Sequence, residues 1–308
     1  MNKQISVVIP VYNEEEVLES LFQRLFPAMD ELKSTYEVIF INDGSKDKSL
    51  EILTKVHSKY PDKTVIIDFN KNYGQHMAIM AGFEQSSGEI VVTMDADLQN
   101  YPEDIGLLID QVEQGHDVVG GVRVNRQDKK WRLLVSKLHN SLRLKLTGID
   151  MVDEGCMLRA YTKDIVKQVI ATEENSTFLP ALAHSFAANP TDIDVRHAAR
   201  EEGTSSYNLY KLIRYNFDFF ANFSKAPLEF FTMLGLAVST ISFILFLYLI
   251  IQRFMHGPDA EGVFTLFALT FFFIGIVLMG LGIVGEYIGR IYEEVRKRPR
   301  FIIKKILK

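Results

Sequence analysis

Apolar and polar positions follow two rhythms over the first two hundred residues. Short unbroken apolar runs, "ISVVIPVYN", "YEVIFIND", "TVIIDFN", "EIVVTMD" and "HDVVGGV", have the length and β-branched content of strands. Between them lie "EEEVLESLFQRLFPAMDEL", "SKDKSLEILTKVHSKY", "QHMAIMAGFEQSS" and "PEDIGLLIDQVEQG", whose apolar residues recur at helical spacing. Strands apolar on both faces, separated by amphipathic helices, predict an α/β fold with a mainly parallel sheet covered on both sides. Ligands of such sheets bind beyond the carboxyl ends of the strands. That rule collects "VYNEEE", "NDGSKD", "FNKNYGQ" and "DADLQN" along one rim.

The rhythm changes after residue 203. In "NLYKLIRYNFDFFANFSKAP", Leu209, Leu212, Ile213, Phe217, Phe220 and Phe223 recur at spacings of three and four. They predict an amphipathic helix over 204–227, suited either to a membrane interface or to packing on the preceding domain. Met233 to Ile251 is 19 residues without a charge, and Val263 to Gly285 is 23. A helix rises about 1.5 Å per residue, so either stretch can cross a hydrocarbon core of about 30 Å. The region 228–288 is therefore expected to form a transmembrane hairpin, with spans at about 228–251 and 263–288 joined by "QRFMHGPDAEG". Gly285 and Gly289 offer one packing face for such helices.

Charge orients the hairpin. The linker carries only Arg253, whereas eight basic residues lie between Arg290 and Lys308. Basic residues stay on the cytoplasmic side, so both termini are expected there. The tail 289–308 is expected to sit against anionic lipid headgroups. The overall charge of −5 excludes a nucleic-acid partner as the leading reading. Cys156 is the only cysteine, which excludes an internal disulfide, suits a reducing compartment and reads as a small buried residue. The apolar run in "MNKQISVVIP" is too short for a signal peptide.

The candidate chemistry centres on "VVTMDADLQNYPEDI", residues 91–105, where an apolar strand runs straight into acids. No G-x-G-x-x-G follows the first strand, and no G-x-x-x-x-G-K-[ST] occurs anywhere. A nucleotide on this rim needs another way to offset phosphate charge. Mg²⁺ held by one or two carboxylates and by substrate phosphate oxygens is one such way. Asp95 and Asp97 project to the same side of an extended chain, and Gln99 continues the alternation. The other reading is that Asp97 or Asn100 caps a helix starting near Pro102.

"SVVIPVYNEEE", "NDGS", "NYGQHMAIMAGF" and "DADLQNYPE", in this order, resemble family 2 glycosyltransferases of the GT-A fold. Within that family they resemble the enzymes that move a sugar from a nucleotide to polyprenyl phosphate. "LGIVGEYIGRIYEEVRKRPRF" is similar to the tail of membrane-anchored bacterial members. "GGVRVNRQD", "DEGCMLRAY", "STFLPALA", "HAAREEGTSSY" and "AEGVFTLFALTF" are similar to a branch that carries 4-deoxy-4-formamido-L-arabinose for lipid A modification. Sister branches that carry glucose, galactosamine or other sugars share most of these motifs, which leaves the sugar open.

The resemblance implies a cytoplasmic, Rossmann-like GT-A domain over 1–203, anchored at the bacterial inner membrane in contact with its lipids. It implies an inverting, metal-dependent transfer from a UDP-sugar to undecaprenyl phosphate, with Mg²⁺ or Mn²⁺ as cofactor, by a homo-oligomer. It assigns Pro10, Tyr12, Glu14 and Asp43 to the uridine nucleotide. Asp95, Asp97 and Gln99 fall around the metal and diphosphate, and Arg200 reaches the donor phosphates. Arg123, Arg132 and Ser136 are assigned to the acceptor phosphate, with Arg126 as a further candidate. Asp153 matches an acid near the transferred sugar, and Asp97 and Asp153 are the expected catalytic carboxylates.

The chain departs from the family pattern in three places. Asn42 replaces the first acid of "DDGS". Ser206 stands where related loops often carry lysine. No Gln-x-x-Arg-Trp follows Asp153, which argues against the processive polysaccharide synthases and for one sugar per acceptor.

Overall fold

A computed structural model describes residues 4–124, 151–153, 155–172, 178–198, 226–256, 263–296 and 299–308. The five apolar runs form strands β1 (Ile5–Val11), β2 (Tyr36–Asn42), β3 (Thr64–Phe69), β4 (Ile90–Thr93) and β5 (Val118–Arg123). The amphipathic runs between them form helices α1 (Leu18–Glu31), α2 (Ser49–Lys59), α3 (Gln75–Gln85) and α4 (Ile105–Glu113). α4 is preceded by one 3₁₀ turn at Pro102–Asp104. β1 and β2 are buried along their whole length, because helices cover both faces. α1 buries Leu18, Leu21, Phe22, Leu25, Phe26 and Met29 as a single stripe. Val7, Ile9, Val38 and Phe40 join that stripe in one core.

The second part of the domain adds β6 (Arg159–Thr162), α5 (Lys163–Ala171), α6 (Leu179–Phe186) and β7 (Pro190–Val195). The sheet has the order β7-β5-β6-β4-β1-β2-β3-β8, with β8 at Ile303–Leu307. β6 and β8 run antiparallel to their neighbours, and the other six strands are parallel to one another. The sheet is therefore mixed, as "mainly parallel" allows.

β8 gives residues 303–307 of the expected basic tail a place in the sheet. Ile303, Ile306 and Leu307 are partly buried while Lys304 and Lys305 stay exposed. Leu307 registers with Ile66 and Ile306 with Ile67, so the strand closes the free edge of β3. Phe301 stacks on Phe69 with ring centroids 5.1 Å apart, and Asn70 N–H donates to the Ile302 carbonyl at 3.2 Å.

The chain divides into two compact units, Met1–Ser206 with Pro299–Lys308, and Tyr207–Arg298. The second unit contains α7 (Ala226–His256) and α8 (Val263–Val295). They have 31 and 33 residues, hence lengths of about 46 and about 50 Å. Among the described residues, Leu269–Gly289 is long and apolar enough to cross a membrane by length and composition. The helices meet at Gly280, where a Cβ would fall 1.9 Å from the Phe231 ring. Among the described residues, a side chain at Gly285 or Gly289 would meet nothing within 4 Å. The amphipathic helix expected over 204–227 lies outside the described residues, except that Ala226 and Pro227 begin α7.

Candidate active site

Four strand ends converge on one cavity of about 380 Å³. It is lined by Pro10, Val11, Tyr12 and Glu14 after β1, by Asp43 after β2, by Asn72, Gly74 and Gln75 before α3, and by Asp95, Ala96 and Asp97 after β4. Of the residues expected at the donor, the structure brings together Pro10, Tyr12, Glu14, Asp43, Asp95 and Asp97. Asn72, Gly74 and Gln75 were not singled out from the sequence, although their segment was placed on the rim.

The turn after β1 is interlocked with the turn after β2. Asn13 sits at φ 55°, a left-handed conformation unusual for a non-glycine residue. Its N–H donates to Ser45 Oγ at 3.0 Å, and its side-chain oxygen accepts from Lys46 N–H at 2.8 Å. Glu14 N–H donates to Ser49 Oγ at 2.9 Å. These bonds fix the backbone on either side of Glu14 and leave Tyr12 exposed at the cavity edge.

Asp43 shapes the adjoining wall. Its carboxylate accepts from Tyr73 N–H at 2.7 Å and Gly74 N–H at 2.9 Å. Burial pushes its pKa up, and the two backbone N–H groups pull it down. The approach is close enough that a Cβ at Gly44 (φ 67°) would lie 2.4 Å from the Lys71 carbonyl carbon. Asn42 also serves the wall. Its amide donates to Asp68 at 2.7 Å and its oxygen accepts from Ser45 N–H at 3.3 Å.

The acid loop carries the two carboxylates. Asp95 and Asp97 are half-buried on the cavity, with Ala96 buried between them. The Gln75 amide donates to Asp95, and Asp97 Oδ1 accepts from Gln99 N–H at 3.1 Å. Gln99 does not line the cavity. The extended alternation that would have placed it there ends at Leu98, whose φ is 57°. Nor does Asn100 cap the turn at Pro102, since that turn has no side-chain cap. Asn100 is buried and its oxygen faces Cys156 Sγ at 3.8 Å. Burial pushes the Cys156 thiol up to about 11, so it is not a nucleophile at neutral pH.

Among the described residues no three His, Cys, Asp or Glu side chains form a metal cluster. The pair Asp95–Asp97 nevertheless fits Mg²⁺ or Mn²⁺. These ions take few protein carboxylates and complete their shell with water and substrate phosphate oxygens.

Arg123 and Asp153 lie outside the cavity and bind each other. Arg123 ends β5, and its Nε and Nη2 donate to the two carboxylate oxygens of Asp153 at 2.6 and 2.7 Å. Gly155 N–H adds a bond at 3.1 Å. Arg159, wholly buried at the start of β6, holds this turn by donating to the carbonyls of Asp153 and Cys156. The sequence displays each of these residues but not their pairing, which spans thirty residues. Arg126, Arg132, Ser136 and Arg200 lie outside the described residues.

Residues 6–170 match the family model "Glycosyl transferase family 2". An undecaprenyl-phosphate 4-deoxy-4-formamido-L-arabinose transferase from Photorhabdus laumondii is 48% identical over 99% of this chain and 94% of its own length. Proteins of the same name from Pectobacterium atrosepticum and Edwardsiella ictaluri are 49% and 46% identical, over 98% and 99% of this chain and 93% and 94% of their own lengths. Among solved structures, a glucosyl-3-phosphoglycerate synthase from Mycobacterium tuberculosis, in complex with Mn²⁺, uridine-diphosphate and phosphoglyceric acid, aligns at 18% identity. Its TM-score is 0.48, over 71% of this chain and 76% of that one. A family match across more than half of the residues and relatives nearly half identical from end to end lead to one conclusion: the chain is a glycosyltransferase and belongs to glycosyltransferase family 2.

Proposed function

We propose that this enzyme transfers one 4-deoxy-4-formamido-L-arabinose from a UDP carrier to undecaprenyl phosphate, with inversion, in lipid A modification. The observation that carries the reading is the 48% identity over 94% of a relative bearing that name. The cavity supports it, because four strand ends and two carboxylates converge where a nucleotide diphosphate would lie.

In this reading Tyr12 stacks on the base, while Pro10, Glu14 and Asp43 shape its pocket. Asp95 and Asp97 hold a divalent cation, which when bound offsets charge on the donor diphosphate. Arg200 adds positive charge from beyond Ala198. The acceptor is a phosphate monoester with a second pKa of about 6, so it is largely dianionic at neutral pH and needs no strong base. The protein's task is to bring two anions together in line. Arg123, Arg126, Arg132 and Ser136 are assigned to the acceptor phosphate, since guanidinium forks match phosphate oxygens. Asp153 occupies the Nε–Nη2 edge of Arg123, so the phosphate is assigned to the Nη1 edge, and Asp153 is assigned to the sugar side of the reaction. The homo-oligomer rests on the family resemblance alone.

The catalytic unit and both termini are assigned to the cytoplasmic face of the inner membrane, with α7 and α8 as a two-span hairpin. The basic residues beyond α8 and the return of β8 to the catalytic sheet support this topology.

The test is transfer from a panel of UDP-sugars to undecaprenyl phosphate, read by mass spectrometry of the lipid. Product from the formamido-arabinose donor is expected. Product only from UDP-glucose or a UDP-amino sugar would move the enzyme to a sister activity. Asp97→Asn is expected to lower transfer by about 10²-fold or more and to weaken metal-dependent UDP binding.

A further inference from the structure

The chain after β7 is fastened to the acid loop at three successive residues. Arg196 N–H donates to Asp104 Oδ2 at 2.7 Å, and its Nε and Nη2 donate to Asp104 Oδ1 at 2.8 and 2.5 Å. Asp104 is only 2% exposed while the Arg196 side chain is 59% exposed, so the specificity of the pair comes from the buried carboxylate and the three bonds it accepts. The same guanidinium lies over the Tyr101 ring at 4.9 Å from its centroid. Arg24 lies over that ring too, at 4.7 Å, and is itself tied to Glu103. His197 then forms an antiparallel bridge with Asn100, and Ala198 N–H donates to the Gln99 carbonyl at 2.9 Å.

The fastening reaches a carboxylate of the site. The Gln99 peptide spends its carbonyl on Ala198 and its N–H on Asp97 Oδ1. Leu98 between them is left-handed at φ 57°, a conformation a leucine keeps only where its surroundings impose it. The arm supplies that constraint from one side, and Asp97 receives it on the other.

We propose that Arg196 is a positioning residue for Asp97: by clamping the arm 196–198 to Asp104 and Tyr101, it holds the Leu98–Gln99 turn that aims the Asp97 carboxylate at its cation. The inference rests on the reading of Asp95 and Asp97 as the metal pair. Arg196 does not line the cavity, and its effect runs through backbone atoms. It therefore alters the metal dependence of nucleotide binding rather than nucleotide binding itself.

The experiment measures UDP affinity of the full-length enzyme in detergent by calorimetry across a Mn²⁺ titration, with melting curves as a control for folding. Arg196→Gln is expected to raise the Mn²⁺ concentration for half-maximal effect about tenfold, the size usual for groups that orient a metal ligand. Its UDP affinity without metal is expected to match the parent enzyme. Ala198→Pro removes the N–H given to Gln99, while also fixing φ at 198 and confining His197 to the extended region, and is expected to shift the Mn²⁺ dependence in the same direction. It decides the matter if Arg196→Gln does not fold. Folded variants with the parent's Mn²⁺ dependence overturn the proposal. So does a loss of UDP affinity that is equal with and without Mn²⁺. If UDP binding by the parent enzyme ignores Mn²⁺, the metal reading itself fails, which separates that failure from failure of the clamp.

Discussion

The amide of Asn42 donates to Asp68 at 2.7 Å with both side chains buried. An aspartate at position 42 would set two carboxylates at hydrogen-bond distance, and one of them would have to keep a proton. This gives the departure from "DDGS" a physical reason in this chain. Asn42→Asp is expected to cost about 3 kcal/mol at neutral pH, the scale of a buried charge offset only by the exposed Lys304 Nζ, 3.9 Å from Asp68. The retained proton raises a folded-state pKa, so stability is kept in acid and lost as pH rises through that value. Melting temperatures should therefore differ from the parent more at pH 8 than at pH 5. An equal gap at both would remove the electrostatic account. His76 has the opposite sign. Its Nδ1 is buried with no hydrogen bond among the described residues, its ring meets Phe178 edge-on at 5.2 Å, and burial lowers its pKa to about 4. A depressed histidine contributes stability above its unfolded pKa of about 6.5, lost as pH falls toward 4. The loss is about 2 kcal/mol at pH 5. His76→Phe should show a flatter melting profile between pH 7 and pH 5, and an unchanged slope would refute the assignment.

Among the elements, those legible in sequence are the ones that carry their own periodicity. β1 to β5 are apolar runs, α1, α2 and α4 have one apolar stripe each, and α3 is buried over six consecutive residues, so each is specified locally. β7 is "PTDIDV", only partly buried, and β6 opens on a buried arginine, so neither reads as a core strand. β8 is hidden for a different reason. Its lysines read as a basic tail, and only the edge of β3 reveals what its isoleucines and leucine do. The site divides the same way. Local alternation shows Asp95 and Asp97 but fails at Gln99, because a left-handed Leu98 is a tertiary outcome. The tail admits a direct comparison of its two readings. Deleting Ile302 to Lys308 uncovers β3 and removes the carbonyl bonded by Asn70 N–H, whose loop runs on to Asn72 and Gly74 at the cavity. UDP affinity is expected to fall on the order of fivefold, the size of one net hydrogen bond. Replacing Lys304, Lys305 and Lys308 by glutamine keeps the strand and is expected to leave UDP affinity near the parent value. The reverse ranking would overturn the role of β8 in holding the cavity loop.

At the scale of the whole molecule, β8 constrains how the chain meets a membrane. β1 to β7 precede the unit 207–298 and β8 follows it, yet all eight strands belong to one sheet. A bilayer cannot pass through a hydrogen-bonded sheet, since backbone groups inside it must be satisfied without water. The chain between Ser206 and Pro299 must therefore cross an even number of times, whatever the count of arginines on either side. Two spans satisfy the rule and a single span by α8 violates it. Labelling by a membrane-impermeant maleimide on intact spheroplasts tests this. The native Cys156 is buried with its thiol pKa pushed up to about 11, so background labelling is low. Ala260→Cys, in the linker between α7 and α8, is expected to label from outside. Lys308→Cys, at the end of β8, is expected to label only after the membrane is opened. Protection of both positions would mean no crossing, with α7 and α8 lying at the cytoplasmic surface. Labelling of Lys308→Cys from outside would place the sheet, and the proposed UDP-sugar chemistry with it, on the wrong side of the membrane.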